Sequence, residues 1–242
     1  YAEGMVPSRA MFEELEGQAQ GFIDDAAAAI REVTTEVELM QQLHEGSPIS
    51  MLLELSKEAD MVVIGSRGLG GIAGALLGSV SASLVGHAHC PVVVLRDDMD
   101  LAAEHNRIVV GADGSPVSAL AVQTAYQEAD AHGSELVAVN AWLDRAVASS
   151  LAGMNLSNLD WEQAKAEQRQ VVQEELEKYD DDYESITPQI VIRRESPEMA
   201  LAEVGKGTRM IVVGSHGRGG FTGMLLGSTS RALLRLSPVP LM

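Results

Sequence analysis

Two stretches of this chain carry the same spacing of glycine and serine. Gly214-Ser215-His216-Gly217 is followed after nine residues by Gly227-Ser228-Thr229-Ser230, and Gly65-Ser66-Arg67-Gly68 after nine by Gly78-Ser79-Val80-Ser81. Residues of these types suit an anion. Glycine lets the backbone approach a ligand with no β-carbon in the way. Consecutive N–H groups at the start of a helix present donors, and the helix dipole favours negative charge there. On this reading the N–H groups of Gly227, Ser228 and Thr229 point at a phosphate, and the hydroxyls of Ser228 and Ser230 add donors. His216 or Arg218 supplies the local positive charge. The competing reading is that glycine and serine only make tight turns and caps. Two copies with one internal spacing, each between a strand and a helix, favour phosphate. The pattern is neither a Walker loop, since no Gly-Lys-Ser/Thr follows, nor a dinucleotide fingerprint, since the glycine spacing differs.

The elements that must position these loops recur too. Residues 61–84 match residues 210–233 at 14 of 24 positions without a gap. The same offset of 149 residues pairs Ser47-Pro48 with Ser196-Pro197 and Pro91 with Pro240. A period this long exceeds the ~20–50 residues of solenoid repeats and marks two copies of a domain. In the second copy 106–112 reads as a strand ending at Asp113-Gly114-Ser115-Pro116. Ser115 suits a helix N-cap and Pro116 a first helical position. A helix over 117–131, a strand over 135–141, a helix over 159–179, a strand over 189–194, a helix over 197–206 and a strand over 210–214 follow. A helix over 225–236 and a short strand over 238–242 complete it. Strands alternating with helices imply a parallel sheet covered on both faces, and the near-continuous apolar strands agree.

In the first copy the pattern predicts a helix over 8–33, a strand over 37–42 and a helix over 48–59. A strand, glycine loop, helix and final strand then run to residue 95. Counterparts of 106–149 are missing, and with them the first strand, the Asp-Gly-Ser turn, a helix and the second strand. Half of such a sheet would expose an apolar strand face, so the missing part is expected ahead of Tyr1 or from another source. The terminal strands 91–96 and 238–242 lie at sheet edges, where unpaired backbone invites pairing.

The chain has 242 residues, 46% of them hydrophobic and 21% charged, with a formal net charge of −18. Such a surface repels nucleic acid and anionic membrane, so neither is an expected partner. The one cysteine, Cys90, excludes an internal disulfide and reads as a buried structural thiol. His87 and His89 sit two apart at a helix end, face different ways and are not read as a metal pair. Trp142 and Trp161 read as packing residues, and Arg193-Arg194 as an exposed strand end. With neither a membrane-length apolar run nor a signal-type segment, a cytoplasmic setting is expected.

The Gly-x2-Gly-x9-Gly-Ser pattern, with the upstream Val-Gly-Ala-Asp-Gly-Ser strand end, resembles the universal stress protein family in its tandem, ATP-binding form. The resemblance implies an α/β fold of two tandem, doubly wound parallel-sheet domains of the adenine nucleotide alpha hydrolase type. Residues 1–96 form the first, lacking its first strand–helix–strand, 97–105 a linker, and 106–242 the second. It implies that Asp113 contacts the ribose or adenine side, that Val139 lines the adenine pocket, and that Val213 and Gly214 flank base and ribose. Ser215 and His216 belong to the same loop, and Gly217, Gly227, Ser228, Thr229 and Ser230 hold phosphates. Gly65, Gly68, Gly78, Ser79, Val80 and Ser81 match the phosphate part in the first half. The implied ligand is ATP, or ADP or AMP, with magnesium compatible; the resemblance also implies that the two halves pair within the chain through strands 91–96 and 238–242, and that the chain forms a homodimer. No nucleophile, lysine or general base stands near the loop. A regulatory nucleotide-binding protein of the stress response is therefore expected, the alternative being a slow ATPase or nucleotide-processing enzyme.

Overall fold

The computed structural model describes residues 9–67, 77–101, 106–141, 161–217 and 225–242. The chain divides into two units, 1–47 and 48–242. In the first, helix α1 (Arg9–Val33) buries Ala27 alone, while Met11, Phe12, Leu15, Phe22 and Ile30 stay exposed. No strand forms over the expected 37–42. Its counterpart in the second copy is held by the ladder of a neighbouring strand, and among the described residues no strand pairs with 37–42. A strand without a ladder is not stable in water.

The second unit runs α2 (Pro48–Leu55), β1 (Val62–Gly65), α3 (Ser79–His87), β2 (Val92–Leu95), β3 (Arg107–Gly111), α4 (Pro116–His132) and β4 (Glu135–Ala141). It continues with α5 (Trp161–Leu176) and a 3-10 turn (Glu177–Tyr179), then β5 (Gln189–Arg193), α6 (Pro197–Val204), β6 (Met210–Val212) and α7 (Ser228–Leu236). Strand β4 matches its expected bounds, and the other elements differ from theirs by a few residues at their ends. Ser115 caps α4 as expected, its hydroxyl accepting from the Ser118 N–H at 3.1 Å, with Pro116 in the first turn.

Four strands pair in the order β5-β4-β3-β6, all parallel, and β1 pairs parallel with β2. The expected terminal strand is a single bridge at Leu241, and it joins the two groups. Leu241 pairs parallel with Ile211 of β6 and antiparallel with Val94 of β2. The Val94 N–H donates to the Leu241 carbonyl at 2.8 Å, and the Leu241 N–H to the Val94 carbonyl at 3.3 Å. The two copies therefore meet within the chain through their terminal strands, as anticipated. Because the join is antiparallel, β1 and β6 point their carboxyl ends to opposite edges of the sheet. The start of the expected linker lies against this join: the Asp100 N–H donates to the Pro238 carbonyl, and the Arg96 guanidinium donates to the Leu234 and Ser237 carbonyls.

Alternate residues of each strand bury on opposite faces. Val93, Ile108, Val110, Leu136 and Ala138 pack beneath α4 and α5, with Tyr126, Val172 and Leu176. Val94, Val109, Val137, Ile211 and Leu241 pack beneath α6 and α7, with Leu201 and Leu233. Tyr126 is fully buried, and burial pushes its phenol up to about 12. Its ring lies 5.1 Å from that of Tyr179 and 5.2 Å from that of Tyr183, which clamps α4 to the end of α5. Trp161 packs as expected, under the Arg194 guanidinium, whose carbon lies 3.4 Å from the ring centroid; Arg194 is thus a stacking partner as well as a strand end. Cys90 is half-buried rather than buried, because it lies just ahead of β2 and not within it.

Leu241 carries the join on a side chain that is only 4% exposed. Leu241→Ala is expected to cost about 2–5 kcal/mol, the usual range for a leucine truncated in a core. Leu120→Ala, at a residue 63% exposed, is expected to change stability by less than about 0.5 kcal/mol. Urea unfolding followed by circular dichroism measures both.

Candidate functional site

Strand β3 is flanked by β4 on one side and β6 on the other. The chain winds from β3 outward to β4 and β5, then returns to the far side of β3. That reversal makes the carboxyl edge between β3 and β6 a topological switch point, where open parallel sheets leave a crevice. The turn after β3 brings Asp113-Gly114-Ser115 to this edge, and the loop after β6 brings 213–217.

The first turn needs its glycine, since Gly114 has φ +77°. The Asp113 carboxylate accepts from the Ser115 N–H at 2.9 Å, and the Asp113 N–H donates to the Ser118 hydroxyl at 3.0 Å. The loops then meet. A β-carbon built on Gly217 would lie 2.5 Å from Asp113 Oδ2, so the carboxylate fills the space a side chain would need. Gly214 is as confined, for a β-carbon there would stand 2.8 Å from Val117 Cγ1 and 3.0 Å from the Val117 carbonyl.

A clasp shapes the second loop. The Ser230 hydroxyl donates to the Gly214 carbonyl at 2.7 Å and to the Ser215 carbonyl at 3.2 Å. The Gly227 N–H donates to the Ser215 carbonyl at 2.7 Å. The first copy repeats it, the Ser81 hydroxyl donating to the Gly65 carbonyl at 2.8 Å and the Gly78 N–H to the Ser66 carbonyl at 2.8 Å. Thus the donors expected of Gly227 and of the Ser230 hydroxyl are spent on the loop itself. Ser228 and Thr229 open α7, where first-turn N–H groups lack intrahelical acceptors. Ser228 is exposed, and the Ser215 hydroxyl pairs with His216 Nδ1 at 3.0 Å.

The remaining expected residues are scattered. Val139 is 2% exposed and sits in the core beneath α6 and α7, with Val213 packed partly against that core. Val213, Gly214, Ser215, His216 and Ser230 line a cavity of about 750 Å³ on the flank of α4, walled opposite by residues around β2 such as His89 and Pro91. Asp113 and Val139 do not border it. In the first copy Ser79 is exposed and Val80 half-buried at the start of α3, where the hydroxyl of Thr229 has no equivalent. That loop leaves β1 at the opposite sheet edge, with no counterpart of Asp113 in this sequence. Gly68, Arg218 and Trp142 lie outside the described residues.

Two contributors escaped the sequence reading. Asn140 of β4 donates through Nδ2 to the Ala112 carbonyl at 2.8 Å, tying β4 to the residue before Asp113. Glu175 of α5, 3% exposed, accepts from the Ser118 hydroxyl at 3.0 Å and from the Gly114 N–H at 3.2 Å. The available signal was position: Glu175 lies three residues after Val172 and one before Leu176, on the apolar stripe of α5. Burial pushes its carboxyl above the ordinary glutamate range. The Ser118 and Gly114 hydrogen bonds pull it back, the Asp113 charge pushes it further up, and Lys178 opposes that weakly.

The model of the universal stress protein family matches residues 2–96 and 104–242. A universal stress protein of Mycobacterium tuberculosis is 40% identical over 218 residues, covering 89% of this chain and 70% of that protein. One of Mycolicibacterium smegmatis is 36% identical over 227 residues, covering 93% and 74%. The crystal structure of a universal stress protein from Archaeoglobus fulgidus superimposes with a TM-score of 0.66 at 23% identity, covering 99% of this chain and 80% of that one.

Ser230→Ala removes the hydroxyl from the clasp and leaves the half-buried Gly214 carbonyl without that donor, so a loss of about 1 kcal/mol is expected in urea unfolding. A second expectation concerns pH. A carboxyl raised in the fold binds its proton better folded than unfolded, so its contribution favours folding at acid pH and is lost as pH rises through and above the ordinary glutamate range. The stability of the native chain minus that of Glu175→Gln should therefore fall between about pH 4 and pH 7. A flat difference across that range refutes the assignment.

Proposed function

The chain belongs to the universal stress protein family, and on that premise we propose that its second half binds an adenine nucleotide at the carboxyl edge between β3 and β6. The observation that carries this reading is the meeting of the two loops, Asp113 against Gly217, at the switch point beside a clasped helix start. The ligand is ATP, or its di- or monophosphate. Asp113 takes the ribose or adenine side, and Val139, Val213 and Gly214 border base and ribose. The N–H groups of Ser228 and Thr229 and the Ser228 hydroxyl hold the phosphates with Gly217. Ser230 and Gly227 act by fixing the loop, with Ser215 and His216 beside it.

Among the described residues no group of three or more histidines, cysteines or acids is placed to hold a metal. A magnesium ion in this reading is held mainly by the phosphates. The first-half residues Gly65, Gly68, Gly78, Ser79, Val80 and Ser81 match the phosphate part of the same site. The domains are 1–96 and 106–242 with 97–105 between them, which the extent of the two family matches supports. The biological role is regulatory, within the stress response, with nucleotide occupancy stiffening the glycine loop. Homodimerisation and a cytoplasmic setting are further parts of the proposal. No described helix is long and apolar enough to cross a membrane.

Titration calorimetry with ATP tests the reading. The native chain is expected to bind ATP, and Gly214→Ala to bind it at least about tenfold more weakly, the equivalent of ~1.4 kcal/mol. No heat with ATP, ADP or AMP, or an unchanged affinity in Gly214→Ala, would overturn it. Steady-state hydrolysis by the native chain decides between a regulatory binder, with negligible turnover, and an enzyme.

A further inference from the structure

Glu175 lies on the side of the Asp113 turn that faces α5, away from the loop that follows β6. It is nonetheless bonded to that turn twice. Its carboxylate receives the N–H of Gly114, the residue with positive φ, and the hydroxyl of Ser118. Ser118 in turn accepts from the Asp113 N–H at 3.0 Å. One buried carboxylate thus holds, directly and through Ser118, the peptide N–H groups on both sides of the Asp113 α-carbon. Burying a carboxylate is costly unless its oxygens are satisfied, and an apolar residue would serve this stripe of α5 better for packing alone. The cost is understandable if the orientation of Asp113 is what it secures.

We propose that Glu175 is a positioning residue of the nucleotide site, holding the Asp113-Gly114 turn so that the Asp113 carboxylate faces Gly217 and the nucleoside end of the ligand. This inference rests on the adenine-nucleotide reading and extends it to a residue of a helix that lines neither loop. The anchor of α5 is independent of Glu175. The Tyr179 hydroxyl donates to the Ala119 carbonyl at 3.1 Å, and the three tyrosine rings pack α5 on α4. Removing the carboxylate therefore loosens the turn, which keeps the bond from the Ser115 N–H to Asp113, without freeing the helix. The phosphate clasp lies on the separate loop after β6, built from Ser230, Gly227 and Ser215. Losing Glu175 should for that reason affect the nucleoside end and spare the phosphate end.

The test compares ATP with inorganic tripolyphosphate by titration calorimetry, on the whole chain and two variants. Glu175→Ala leaves the Gly114 N–H and the Ser118 hydroxyl without their acceptor and is expected to weaken ATP binding about tenfold or more, while tripolyphosphate affinity stays within about twofold. Glu175→Gln keeps one acceptor oxygen for Ser118, so it is expected to restore part of the loss. ATP affinity within twofold of native in both variants overturns the inference, as does an equal loss for ATP and tripolyphosphate, which would mark Glu175 as merely structural. If Glu175→Ala does not fold, the ratio of the two affinities in Glu175→Gln decides alone: native-like overturns it, lowered supports it. Failure of the native chain to bind ATP sinks the nucleotide reading, and this inference with it.

Discussion

The exchange of hydrogen bonds between Val94 and Leu241 is the junction on which the larger unit depends. Neither neighbouring group of strands is closed without it. On one side β1 and β2 form only a two-stranded ladder, which water would compete away. On the other, the segment 240–242, which pairs with β6, would itself be the edge presenting its backbone to any passing strand. The antiparallel bridge covers both, and the apolar side chains on its two faces then belong to cores that run across the junction. Val93 shares a core with Ile108 and Val110, and Val94 shares one with Val109 and Ile211.

The same junction fixes where chemistry can occur. Because the join is antiparallel, the two glycine loops emerge at opposite edges of the sheet. In the second copy β3 delivers Asp113 beside the loop that follows β6. The first copy holds the clasp in the same form, Ser81 on Gly65 as Ser230 on Gly214.

The site also shows how polar groups divide their duties. Serines at the start of a helix look alike as donors until their hydrogen bonds are traced. Ser230 is turned inward and spent on two carbonyls, whereas Ser228, two residues earlier and on another face of the helix, is exposed. Burial and helical phase separate a residue that shapes the loop from one left open to solvent.

Much of this was legible in the residues themselves. The 149-residue offset, the apolar strands, the Ser115-Pro116 helix start and the two glycine loops are local or periodic signals, and local backbone chemistry dictates them wherever the chain lies. Universal stress protein membership follows from the same motifs. Other features could not be read that way, because they depend on what stands alongside. Residues 37–42 have the composition of a strand but pair with no other strand among the described residues, Glu175 meets the Asp113 turn only when α5 packs over it, and Arg194 finds Trp161 only in the folded unit. The physical division is between propensity, which a segment carries with it, and satisfaction of hydrogen bonds and buried charge, which only the surrounding fold can grant.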